Sequence, residues 1–138
     1  MRQGRSFWIK THGGIGNPLQ KAINKAVELA TPHNKKVMIF VDQKANVDNI
    51  INSDKAVSDF FKALKKNPVV NLGSVDFSVC TKRTAPKSFS GVAIIAYGSP
   101  NLMRSVQECS GNIDVILVPW LLEEGETWAQ AYNAEVLE

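Results

Sequence analysis

Apolar residues in this chain fall in short blocks punctuated by Gly, Pro and Asn, and the blocks switch between two periodicities. Residues 6–11 are rich in aromatic and apolar side chains and end at Gly13, Gly14 and Gly16, which predicts a first strand running into a glycine-rich turn. Asn17 followed by Pro18 then predicts a helix start, because Asn accepts a free backbone N–H and proline has none to leave unpaired. Leu19, Ala22, Ile23, Ala26, Val27 and Ala30 share one face of that helix, and Thr31 with Pro32 stops it. Residues 36–42 contain the unbroken run Val37, Met38, Ile39, Phe40 and Val41, the pattern of a parallel strand buried on both faces. Strand, helix and strand make a βαβ unit.

A second helix is predicted from Ser53, whose hydroxyl would cap Asp54 and Lys55, with Val57, Phe60, Phe61 and Leu64 on its buried face and Asn67 with Pro68 closing it. Residues 69–72 and 75–81, joined by Gly73 and Ser74, read as a hairpin with a two-residue turn. Val75, Phe77 and Val79 would then face the core. Residues 91–97 form another apolar strand, Ser99 and Pro100 open a third helix, residues 113–118 make a last buried strand, and residues 123–132 a final helix. The series is that of a three-layer α/β/α sandwich, Rossmann-like or flavodoxin-like, whose sheet is mostly parallel with an antiparallel hairpin at residues 69–81.

Strand direction carries functional weight, because ligands of open α/β sheets sit beyond the carboxyl ends of the parallel strands. A hairpin at residues 69–81 is expected to run residues 75–81 antiparallel to the rest. The basic loop that follows, with Lys82, Arg83 and Lys87, would then lie at the edge away from the ligand. Treating residues 69–72 as loop moves it to the ligand edge. The strand and turn signals favour the hairpin.

The length of 138 residues and a 44% hydrophobic content fit one domain over residues 1–138, with a core that needs neither disulfides nor metal, and exclude disorder and coiled coil. The longest apolar run, residues 115–122, contains Pro119 and is far short of the roughly 20 residues that span a bilayer. No apolar signal core follows the N-terminus, so the expected location is cytoplasmic and no membrane partner is expected. The formal charge of +3 is unevenly placed: residues 1–44 carry eight basic and two acidic side chains, while residues 109–138 carry six acidic and no Lys or Arg. That pattern fits a local anion site or charge-complementary association into a homodimer. Nucleic acid is not the expected partner, since no reading helix or aromatic RNA-binding strand accompanies the basic third.

The strongest candidate for chemistry is the segment His12, Gly13, Gly14, Ile15, Gly16, Asn17 between strand and helix, where glycines allow close backbone approach and a helix start offers free N–H groups to an anion. Asp42, at the end of the second strand, occupies the place of a ribose-binding carboxylate. The dinucleotide fingerprint is incomplete, with Leu19 where the third glycine belongs and Asp42 lying 26 residues beyond Gly16 rather than about 20. Other residues expected at this edge are Lys44 for a phosphate, Tyr97 and Trp120 for stacking on a ring, and Ser99, chiefly as a helix cap. Trp120, Leu121 and Leu122 also fit packing under the last helix or a subunit contact.

Several chemistries are excluded. There is no phosphate-binding G-x-x-x-x-G-K-[ST] loop and no G-x-S-x-G elbow. His12 and His33 have no metal-binding spacing, and Asp42 with Lys44 lacks the further carboxylates of a metal-dependent nuclease. Cys80 and Cys109 read as reduced core thiols. No catalytic residues, metal or cofactor follow from the sequence. The expected function is binding of an anionic small molecule, with nucleotides as the leading candidates, at the glycine-rich turn; the alternative is a non-enzymatic, self-associating interaction module.

Overall fold

A computed structural model describes residues 2–11, 17–33 and 35–137 of the chain. The described elements are strands β1 (Arg2–Gln3), β2 (Ser6–Ile9), β3 (Lys36–Phe40), β4 (Val70–Leu72), β5 (Val75–Cys80), β6 (Gly91–Ala96), β7 (Gly111–Val118) and β8 (Glu135–Leu137). Helices are α1 (Pro18–Ala30), α2 (Ala45–Ser53), α3 (Ser58–Lys66), α4 (Pro100–Glu108) and α5 (Leu122–Tyr132). They build one sheet in the order β4-β5-β3-β6-β7-β2-β8, with β1 paired to β7. All described pairings are parallel except β4 with β5.

Alternation along the central strands separates two cores. Val37 and Ile39 of β3 and Val92, Ile94 and Ala96 of β6 face α1, α2 and α3, which contribute Leu19, Ala22, Ile50, Phe61 and Leu64. Phe40, Ala93 and Ile95 point the other way, against Leu102, Met103 and Val106 of α4, Trp128 of α5, and Phe89 from the segment between β5 and β6. The continuous apolar runs therefore mark strands covered on both sides. No helix among the described residues is long and apolar enough to cross a membrane.

Three local expectations need correction. Asn17 precedes α1 but lies in the left-handed region at φ 55 and makes no side-chain cap, so Pro18 at the helix start is what survives of that signal. Ser53 ends a helix instead of starting one, and its hydroxyl donates back to the Asn49 carbonyl at 2.6 Å. The helix it closes, α2, was not expected. Its packing side chains Val47, Ile50 and Ile51 do stand at helical spacing, but the helix is short and rich in Asn, a weak helix former.

The missing helix also reverses the expected direction of β5. Ser58 Oγ donates to the Ile51 carbonyl and Lys65 pairs with Asp48, so α2 and α3 lie antiparallel as a helical hairpin. The α2–α3 hairpin thus leaves the carboxyl edge and returns to it, with Lys65 at the end of α3 beside Asp48 near the start of α2, and from there the chain runs back along β4 and forward along β5. The β4–β5 hairpin is present, with Gly73 and Ser74 both at positive φ (58° and 74°) in its two-residue turn. Yet β5 runs parallel to β3, in the register Met38 to Ser78 and Ile39 to Val79, and only β4 is antiparallel. The loop carrying Lys82 and Arg83 lies at the carboxyl edge, beside Asp42, and not at the opposite edge.

β2 and β3 are not neighbours, since β7 and β6 stand between them and α1 spans the gap. Three strand spacings put these two strands about 14 Å apart. β1 and β2 keep a common register on β7, interrupted at Gly4 and Arg5, where the Arg5 N–H donates to the Asp114 carboxylate at 2.8 Å.

On the second face, α5 seats against β2 through a glycine. A methyl group on Gly125 would lie 2.1 Å from Trp8 Nε1 and 2.9 Å from Pro119 Cγ, and Trp8 is only 5% exposed. In an open helix Gly→Ala gains about 1 kcal/mol. Here overpacking reverses the sign, and Gly125→Ala is expected to lower the unfolding free energy by about 1–3 kcal/mol in denaturant titrations. A gain in stability would show that α5 does not pack on Trp8 in this way.

Candidate functional site

From β3 the chain moves toward β5, and from β6 toward β7, with the two connections on opposite faces of the sheet. Such a reversal of winding leaves a crevice at the carboxyl ends of the two strands, the usual ligand position in open α/β folds. Asp42 follows β3 there, and Tyr97, Gly98 and Ser99 follow β6.

Asp42 is already engaged. Its Oδ2 accepts the Ser99 backbone N–H at 2.8 Å, and its Oδ1 accepts the Ser99 hydroxyl at 2.6 Å. Ser99 Oγ in turn accepts the Leu102 N–H at 3.2 Å, so Ser99 caps α4 as its place before Pro100 predicts. Lys82 Nζ stands 3.6 Å from Asp42 Oδ1. The carboxylate thus pins β3 to the start of α4 across the crevice. Asp42 stands at the end of β3, which β6 and β7 separate from β2, and both of its oxygens are engaged by Ser99.

On one side of this pin lies a crevice with an aromatic wall. Two adjoining cavities, ≈ 360 and ≈ 430 Å³, share Ile50, Ser53, Tyr97 and Trp120, and Asn17, Asn46, Asn49 and Asp54 add polar groups. The Tyr97 and Trp120 rings meet edge to face, with centroids 5.5 Å apart at 90°. Tyr97 sits at φ 53, unusual for a bulky residue, and its N–H donates to the Val118 carbonyl at 2.9 Å, tying the ends of β6 and β7 together. Burial, helped by the negative charge of Asp54, pushes the Tyr97 phenol up to about 12. At neutral pH it is a neutral hydroxyl able to donate and accept. Gly98 lets α4 come close, since a Cβ there would lie 2.7 Å from both Ile95 and Leu102. Trp120 and Leu121 are 58% and 44% exposed, which excludes packing under the last helix for these two; Leu122 is partly buried.

On the other side, Asp42, Gln43, Lys44, Thr81, Arg83 and Thr84 line a cavity of ≈ 590 Å³ between the ends of β3 and β5. Of the residues expected at this edge, the fold brings Asn17, Tyr97 and Trp120 into the first cavity and Asp42 and Lys44 into the second, with Ser99 bonded between them. His12, Gly13, Gly14 and Gly16 lie outside the described residues; Asn17, which follows them, lines the aromatic crevice. Thr81, Arg83 and Thr84 belong to the end of β5 and the basic loop after it, which is expected at the opposite edge when α2 is left out. Among the described residues no group of three or more His, Cys, Asp or Glu could hold a metal ion.

Cys80 and Cys109 are free and buried. Burial, with a smaller contribution from Cys109, pushes the Cys80 thiol up to about 12, and burial raises Cys109 as well, with Glu108 adding to it. Neither thiol is set up as a nucleophile.

No protein family, curated protein or solved structure matches the chain.

If Asp42 serves as the pin described, Asp42→Ala should cost about 2 kcal/mol of unfolding free energy, the size expected for hydrogen bonds to a charged group. Ser99→Ala in the same background should then cost much less than it does in the native chain. Additive losses in this double-mutant cycle would mean the two residues do not act together.

Proposed function

We propose that this chain binds a small anionic molecule, with nucleotides as the leading class, in the crevice at the carboxyl ends of β3 and β6. The observation that carries the reading is the coincidence of three features at one place: the reversal of winding, the Tyr97–Trp120 aromatic pair, and an abundance of uncharged polar side chains (Asn17, Asn46, Asn49, Ser53) around it. A ring of a nucleobase type has an aromatic face to stack on, and its edge polar groups have amides within the same cavity. Asn17, which directly follows the glycine-rich segment in sequence, lines this crevice. Two buried, unpaired cysteines suit the reducing cytoplasm. No reaction is proposed, because no nucleophile with an activating base has been identified.

Exposure of Trp120 and Leu121 also favours a second reading, self-association through this apolar spot and the acidic start of α5, which carries Glu123 and Glu124. One experiment separates the two. Thermal melting is recorded with a panel of nucleosides, nucleotides and sugar phosphates, beside light scattering of the same samples. Ligand binding predicts that at least one nucleotide raises Tm by roughly 5–10 °C at a hundredfold excess over its Kd. Trp120→Ala, at an exposed position, should abolish that rise while leaving the unliganded Tm in place. Self-association predicts instead a doubled mass that Trp120→Ala returns to that of one chain. A panel without any shift would overturn the binding proposal.

A further inference from the structure

The cavity between β3 and β5 stands apart from the aromatic crevice, and its charge balance is the unusual feature. Its only carboxylate, Asp42, is consumed by the two Ser99 donors and by Lys82. Its two cations, Lys44 and Arg83, have no ion-pair partner among the described residues. Both residues are exposed, so their charged groups are open to a ligand from solvent.

The hydroxyls beside them have donor capacity to spare. Thr84 Oγ1 accepts the Thr81 N–H at 2.8 Å, and the two threonine hydroxyls lie 3.4 Å apart. A bond between them uses one of their two protons. The other remains free to donate into the cavity.

We propose that this cavity is a subsite for a terminal phosphate monoester, held by the Arg83 guanidinium and the Lys44 ammonium with a threonine hydroxyl as a further donor. Two cations match the near-dianionic charge of a monoester at neutral pH, and the guanidinium fork matches two of its oxygens. A carboxylate would leave one cation uncompensated. A phosphodiester strand presents one charge per link and calls for a continuous basic stripe, whereas this site is a single cavity bounded by Asp42.

Lys44 immediately precedes α2, and Asn46, in the first turn of α2, lines the aromatic crevice. A phosphorylated ligand with its ring at Tyr97 and Trp120 would therefore reach the subsite around the start of α2. This link rests on the proposed crevice function; the phosphate subsite itself does not.

Calorimetric titration of the full chain at constant ionic strength tests the subsite, with inorganic phosphate as the first probe and a nucleoside and its 5′-monophosphate as the others. Inorganic phosphate should bind saturably, and Arg83→Gln and Lys44→Gln should each weaken it at least tenfold. Arg104→Gln, on α4 at the other face, should leave it unchanged, and equal melting temperatures confirm that the variants fold. Trp120→Ala should retain inorganic phosphate and lose the added affinity of the monophosphate. Absence of saturable phosphate binding, or binding indifferent to Arg83 and Lys44, overturns the subsite even if nucleosides bind. Phosphate binding as described, with no gain from any ring, upholds the subsite and removes the crevice reading. An oligothymidylate without terminal phosphate that binds as tightly as the monophosphate, and depends equally on Arg83, overturns the monoester in favour of nucleic acid.

Discussion

The arrangement of the carboxyl edge depends on how many times the backbone reverses between β3 and β5. An even number of intervening elements would leave β5 antiparallel to β3. The three that occur, α2, α3 and β4, make it parallel. Both strands then end at the same edge, and residues 81–84 meet Asp42, Gln43 and Lys44 around one cavity. With one helix fewer, Lys82 could not reach Asp42 and Arg83 would face the far end of the sheet.

At this edge one carboxylate has a mainly structural task. Asp42 gathers the N–H and hydroxyl of Ser99, and Ser99 caps α4, so the end of one central strand is fixed to the helix that follows its neighbour. The two connections leave on opposite faces of the sheet, and the Asp42–Ser99 bonds join them just beyond the last β3–β6 ladder pair, Phe40 with Ile95. The pin has basic surface on one side, at Lys44 and Arg83, and aromatic surface on the other, at Tyr97 and Trp120. Spatial separation of charge and ring along one edge is what a ligand with a charged end and an aromatic end requires.

Features governed by neighbouring residues were legible in the sequence. Buried runs identified β3 and β6, the six-residue apolar face identified α1, Ser99 with Pro100 marked the start of α4, and Gly73 with Ser74 marked the hairpin turn. Less visible were α2, whose three apolar positions are spaced among asparagines, and β8, a three-residue edge strand with Val136 exposed. Long-range facts left no local trace: β7 and β6 between β2 and β3, and a bond between Asp42 and Ser99 that spans 57 positions. For the site, the sequence identified Asp42, Lys44, Tyr97 and Trp120 as residues of one edge. It misplaced Arg83 because leaving out α2 inverts the directions inferred for α3, β4 and β5.

Proton NMR of isotope-labelled protein tests that parity most directly, through cross-strand nuclear Overhauser contacts between β3 and β5. Parallel pairing in the register Met38 to Ser78 and Ile39 to Val79 predicts amide-to-α-proton contacts between these strands, with strong α-to-α contacts confined to the β4–β5 pair. Strong α-to-α contacts between β3 and β5 would contradict the account, for they would send Lys82 and Arg83 back to the opposite edge.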